Sequence, residues 1–212
     1  MIEYLETTYF TSTNANQIML FGKPDELNSG LPPYLELFIL ELSEVLLQHL
    51  PHTVHRMLFD PRKYDSKEVP GQLRARQVIL NRYSPGEGIT PHVDLLNRFD
   101  DGILGVSLGS GCVMDFELVD KDEKGAKLDE VHHDYWGLYL PPDSILVLTG
   151  DARYAWTHGI ARRIDDQVIS NEGIVETLRR GTRISLTFRW LLPDAHIVGK
   201  ECHHIGQTTL VQ

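Results

Sequence analysis

Apolar residues recur every three or four positions from 33 to 50, in PYLELFILELSEVLLQHL. Leu35, Phe38, Ile39, Leu42, Val45, Leu46 and Leu50 fall on one face of a helix, and Glu36, Glu44 and Gln48 on the other. Pro33 suits a first turn and Pro51 ends the run, so the pattern predicts a helix lying on one face of a sheet. After residue 75 the period shortens to two. RQVILNRY (76–83), GILGVSLG (102–109), CVMDFELV (112–119), SILVLTG (144–150) and TRISLTFRWLL (182–192) read as short strands. Ser110-Gly111 is a hairpin signal between the second and third of these, and Leu-Pro-Pro-Asp before Ser144 is a turn signature. In the last strand Ile184, Leu186, Phe188 and Trp190 share one face, and Arg183, Ser185, Thr187 and Arg189 the other. The segments 120–139 and 161–181 are longer polar connections, of a length that often carries function. The pattern as a whole predicts a mainly β (α+β) chain, a β-sandwich or jelly roll with a supporting N-terminal helix.

Composition narrows the class. The chain has 212 residues, no repeat and no strong linker, so a single domain over 1–212 is expected. No apolar run approaches the roughly 18–20 residues of a membrane span, and the first residues carry no basic region followed by an apolar core. Two cysteines, Cys112 and Cys202, imply no disulfide framework, which points to a reducing compartment, cytoplasm or nucleus. A net charge of −10 argues against broad adhesion to nucleic acid. The charge is uneven, however. Residues 1–55 hold seven acids against Lys23 alone, whereas 56–82 hold seven bases against three acids. That basic segment either grips a polyanion locally or is a solvated surface with clustered charge.

The candidate chemistry sits in NRYSPGEGITPHVDLL, residues 81–96. His92 and Asp94 are two apart in an extended segment, so both can reach one ion from one side. The Pro/Gly stretch before them holds the backbone in a bend. His158 also follows a strand and its turn, and is the best third ligand. Two histidines and one carboxylate form the facial triad that suits Fe(II). Arg183 and Arg189 project from one face, and an arginine fork recognises a carboxylate. Taken alone, their strand would be an edge with arginines in water. Beside an iron it reads as a dicarboxylate site. His49, His52 and His55 share a three-residue spacing that a helix ending at Pro51 would break, and Cys202-His203-His204 lacks a second ligand pair.

Asn81-x-Tyr83, Pro85-Gly86-x-Gly88, His92-x-Asp94, Ser107-Leu108-Gly109, His158-Gly159 and Arg183-x5-Arg189 follow one another in an order that resembles the AlkB-like 2-oxoglutarate- and Fe(II)-dependent dioxygenases. The resemblance covers roughly 76–190 and looks closest to a eukaryotic branch that includes a hydroxylase of transfer-RNA wobble uridine. It implies a double-stranded β-helix with His92, Asp94 and His158 on Fe(II). It also implies 2-oxoglutarate as cosubstrate, with O2, bound by Asn81, Tyr83, Arg183 and Arg189. In that arrangement Arg183 takes the distal carboxylate, and Arg189 lies near the keto-acid end and Asp94.

In relatives a segment before the Asn-x-Tyr strand forms a substrate lid, here within 52–82, with Phe59 and Tyr64 available to stack on a base and Arg74 and Arg76 to meet phosphate. Base-repair relatives often carry an acid two places after the ligand Asp. Leu96 stands there, which counts against repair of methylated adenine or cytosine. The expected activity is hydroxylation or oxidative demethylation of a base in RNA or DNA. The alternatives are an oxygenase for a basic protein such as a methylated histone, drawn to the acidic stretches, and a non-catalytic metal-binding jelly roll.

Overall fold

The computed structural model describes residues 1–12, 15–24, 29–63, 72–119, 134–170, 172–192, 195 and 209–210. The chain opens with α1 (Ile2–Tyr9), β1 (Gln17–Phe21), α2 (Pro33–Leu46) and α3 (His52–Phe59). Two short strands, β2 (Arg62–Lys63) and β3 (Gln72–Leu73), pair with each other. Then come β4 (Arg76–Tyr83), β5 (Ile89–His92), β6 (Ile103–Gly109), β7 (Cys112–Leu118), β8 (Tyr135–Leu140) and β9 (Ile145–Leu148). The turn of helix α4 (Asp151–Tyr154) leads into β10 (Trp156–Ile160), followed by β11 (Asp165–Ile169), β12 (Val175–Arg179), β13 (Arg183–Trp190) and β14 (Thr209–Leu210).

These strands make two facing antiparallel sheets. A major sheet of six runs β14-β1-β4-β13-β6-β9, and a minor sheet of four runs β5-β10-β7-β8. This is the jelly roll that the short alternating strands predict. The outer face of the major sheet is covered by helices. Leu35, Leu42 and Leu46 of α2 and Leu58 of α3 pack on Val78, Leu80, Leu186 and Phe188. Each such buried side chain contributes about 1.5–3 kcal/mol. A second apolar cluster lies between the sheets, where Ile103 and Leu148 meet Met114, Phe116, Leu140 and Ile160.

Several expectations are corrected. The predicted helix stops at Leu46, and Val45 is exposed rather than on the covered face. Pro51 ends nothing beyond the intervening turn: it caps the start of α3, where its missing N–H costs no hydrogen bond. Ser110-Gly111 does not close a hairpin. Both edges of β6 are already taken, by β13 and β9, so the chain crosses into the minor sheet and β7 pairs with β10 and β8. Gly109 makes that crossing at φ +83, where a Cβ would meet the Thr182 carbonyl oxygen at 2.7 Å. The expected polar connection 161–181 contains the β11–β12 hairpin.

Candidate metal and cosubstrate site

β5 ends on His92, Asp94 follows two residues later, and the register of β5 and β10 sets His158 directly opposite His92. The ligand atoms of the three side chains all lie within 4.8 Å of one another, and among the described residues they are the one such group. The imidazole rings are 4.5 Å apart. Two glycines let the strands come this close. A Cβ on Gly159 would meet Pro91 at 2.8 Å, and one on Gly88 would meet the Ile160 carbonyl at 2.1 Å. His92 Nδ1 lies 2.9 Å from the Thr90 carbonyl, which can only accept. Nδ1 is therefore the donor to that carbonyl, which turns Nε2 to within 3.8 Å of Asp94 Oδ1. Burial, helped by the neighbouring His92, lowers the pKa of His158 to about 4, so its imidazole is neutral and able to donate electrons to a metal.

Asp94 is 6% exposed and is held from two sides. Arg189 Nη1 donates to its carboxylate, while Arg189 Nη2 donates to Gln77 Oε1 at 2.7 Å. Arg153, from the turn just before β10, is 2% exposed and donates to the backbone carbonyls of Asp94 (2.9 Å), Leu95 (3.3 Å) and Phe99 (3.1 Å). It thus ties the segment that bears one ligand to the segment that bears another. Gln77 and Arg153 carry no motif. Gln77 was nonetheless readable from alternation, since it shares its face of β4 with Asn81 and Tyr83.

Between the sheets lies a cavity of about 220 Å³, walled by Ile103, Met114, Leu148 and Ile160 and lined by all three metal-ligand candidates. Arg183, Arg189, Asn81 and Tyr83 line it as well. Arg183 Nε and Nη2 donate to Ser107 Oγ at 3.2 and 2.8 Å, and its guanidinium lies 5.4 Å from the Tyr83 ring centre. Among the described residues it has no carboxylate partner, although it is 6% exposed. A buried cation in that state favours an anionic guest. Burial raises the Tyr83 pKa despite the Arg183 charge, so the phenol stays a neutral donor. Asn81 Oδ1 accepts from Gln17 Nε2 at 2.8 Å, which brings β1 into the site unannounced by any motif. The donor set suits Fe(II), and a buried guanidinium without a carboxylate partner among the described residues suits a dicarboxylate such as 2-oxoglutarate.

The expected substrate-binding residues lie elsewhere. Arg74 and Arg76 are not on the surface. Arg74 bonds Asp100 (3.3 Å) and the Asp60 carbonyl (2.6 Å), and Arg76 bonds the Leu58 carbonyl (2.7 Å). Both guanidiniums stack on Trp190, at 4.6 and 3.7 Å. Burial, together with the nearby Arg74 charge, lowers the Arg76 pKa to about 9. They fasten α3 to β4 and face no ligand. Phe59 packs partly buried against the helix-side core, beside His55 at 4.9 Å, so a lid role for α3 is not what its contacts serve. Tyr64 and Cys202-His203-His204 lie outside the described residues. The His49, His52 and His55 row forms no cluster, and His55 bonds Ser43 instead.

Comparison with known proteins agrees with this geometry. Residues 39–189 match the 2OG-Fe(II) oxygenase superfamily. Uncharacterized protein L905 of Acanthamoeba polyphaga mimivirus is 39% identical over 118 residues, 56% of this chain and 49% of that one. The tRNA (carboxymethyluridine(34)-5-O)-methyltransferase ALKBH8 of Mus musculus is 40% identical over 124 residues, 53% of this chain and 17% of its own. The Probable RNA/DNA demethylase ALKBH6 of Danio rerio is 33% identical over 124 residues, 54% of this chain and 53% of its own. The chain thus spans about half the length, or less, of the curated relatives it matches. With the sheets, the converging side chains and a match over most of the sequence all in agreement, this chain belongs to the 2OG-Fe(II) oxygenase superfamily, among its AlkB-like members.

Proposed function

We propose that this chain hydroxylates, or oxidatively demethylates, a base in RNA or DNA, using Fe(II), 2-oxoglutarate and O2. The observation that carries the reading is the convergence of His92, Asp94 and His158 in a cavity that also holds a buried guanidinium, Arg183, with no carboxylate partner among the described residues. When bound, these cofactors supply the chemistry that turns C–H into C–OH, with 2-oxoglutarate leaving as succinate and carbon dioxide. On an N-methyl group the hydroxylated carbon would depart as formaldehyde.

The side chains of the chain then have distinct tasks. His92, His158 and the Asp94 carboxylate would hold the metal. Arg189 keeps Asp94 aimed. Arg183 takes the distal carboxylate of the cosubstrate, and Tyr83 and Asn81 are placed to hydrogen-bond it. The apolar walls from Ile103, Met114 and Leu148 limit water, which strengthens each of these contacts. The substrate class draws support from the relatives, whose names specify tRNA and RNA/DNA. Leu96, exposed where an acid would read an exocyclic amine, favours a substrate without that group.

Succinate release, screened with modified transfer RNA, methylated single-stranded DNA and methyl-lysine histone peptide, tests the reading. Stimulation by a nucleic acid, with the product base identified by mass spectrometry, is expected. Stimulation by the peptide alone would move the substrate to protein, and no succinate with any substrate would remove the catalytic reading.

A further inference from the structure

The two histidines stand on a row of the minor sheet that continues past them. The register sets His92 opposite His158, His158 opposite Phe116, and Phe116 opposite Trp136. Residues directly opposite each other in antiparallel strands project from the same face. The four side chains therefore form one line across β5, β10, β7 and β8, from the candidate metal site to the sheet edge. The alternate residues of β8 lie on the other face: Tyr135 bonds Asp115 there at 2.6 Å, and the bare Gly137 position adjoins Val113 and Asp115.

Along the inner face of β8 the cover thins steadily. Leu140 is 5% exposed, Leu138 45% and Trp136 68%. The strand starts outside the cavity wall and ends within it, so Trp136, near its start, offers an open indole at the rim. Trp190 is buried and Trp156 half-buried, which leaves Trp136 the most exposed tryptophan. With strands spaced about 4.8 Å apart, Trp136 lies two strands, roughly 10 Å, from His158. That is too far to stack on the base presented to the metal, and within reach of the next base along the strand. Leu95 and Leu96, also exposed, follow Asp94 at the β5 end of that sheet.

We propose that Trp136 is a stacking platform for an unpaired base next to the target nucleotide, so that the chain takes its substrate from a single-stranded or looped stretch and not from a duplex. This rests on the nucleic-acid reading above. A duplex keeps its bases stacked on one another, whereas a loop has faces to offer an indole. One ring on an open edge also suits a flat base better than a methylated ammonium, which is recognised inside an enclosure of several rings. With a net charge of −10, the chain gains little from phosphate attraction, and stacking takes a correspondingly larger share of the affinity.

The test uses the full chain with Fe(II) and 2-oxoglutarate under anaerobic conditions. The probes are a labelled RNA stem-loop, the same strand annealed to its complement, and a methyl-lysine peptide. Wild type is expected to prefer the stem-loop, with quenching of tryptophan emission. Trp136→Ala should weaken stem-loop binding by roughly ten-fold or more, the usual range for losing one stacked base, without lowering the melting temperature. Trp136→Phe should restore most of the affinity but not the quenching, a split that a merely structural role would not produce. Equal stem-loop affinity in wild type and Trp136→Ala would overturn the platform and leave the nucleic-acid reading standing. Binding of neither RNA would overturn both. Peptide binding lost in Trp136→Ala would overturn the base in favour of a cation.

Discussion

Two pairs of arginines, Arg74 with Arg76 and Arg183 with Arg189, are equally buried, at 5–7% exposure. Their surroundings differ. Arg74 and Arg76 spend their donors on backbone carbonyls and Asp100 and rest on Trp190. Arg189 is matched to Asp94 and Gln77. Among the described residues Arg183 bonds the Ser107 hydroxyl and lies against the Tyr83 side chain on the cavity wall. Burial alone therefore does not mark a binding arginine. What marks it is a place on the cavity wall with no carboxylate partner among the described residues.

Five substitutions can break or sharpen this contrast. The largest effect is expected for Asp94→Ala, which should abolish Mn(II) or Co(II) binding in calorimetric titration. It should also destabilise the fold by about 3–5 kcal/mol, because it strands the buried Arg189 charge. His92→Ala should lose the metal and keep the fold, since its side chain is partly exposed.

Next comes Asp166→Asn, at the most fully matched pair. Asp166 accepts from Arg180 at 2.6 and 2.7 Å, and further from Arg163 and the Val113 N–H. Burial alone would raise its pKa, but these bonds hold it below the ordinary carboxylate value. Its stabilisation is therefore complete above the unfolded pKa near 3.9 and lost as pH falls through the lower, folded value. Breaking the buried pair should cost about 3–5 kcal/mol near neutral pH. The gap in melting temperature from wild type should narrow below about pH 4.

Arg183→Met should weaken 2-oxoglutarate binding by about 2–5 kcal/mol, with the melting temperature held or raised as an unmatched charge leaves the interior. Arg76→Met should do the opposite. It should cost about 1.5–3 kcal/mol of stability through the lost charge-assisted bond to the Leu58 carbonyl, which then keeps only the Trp190 indole N–H, with 2-oxoglutarate affinity unchanged. If the two variants behave alike in both assays, the distinction between matched and unmatched arginines fails.

Much of this was legible in the sequence where a local rule governs. The two longest strands, β4 and β13, follow alternation, and the polar face of β13 points into the cavity as its period requires. His92, Asp94 and His158 were readable because each follows a turn at a strand end. The misses are tertiary. Nothing near Arg74 and Arg76 announces that Trp190 and the end of α3 will enclose them, so a basic segment reads as surface. Ser110-Gly111 has hairpin chemistry, but whether β6 has a free edge depends on β13, far along the chain. Gln17 and Arg153 act through partners 64 and 59 residues away, which no local pattern encodes.

The central claim is that His92, Asp94, His158 and Arg183 form one site for Fe(II) and 2-oxoglutarate. Mixing the chain anaerobically with Fe(II) and 2-oxoglutarate tests it most directly, through the visible charge-transfer band of a cosubstrate chelated to iron. The band should appear in wild type, vanish in His92→Ala and Asp94→Ala, and require far more 2-oxoglutarate in Arg183→Met. A band of full intensity in both ligand variants would contradict the account.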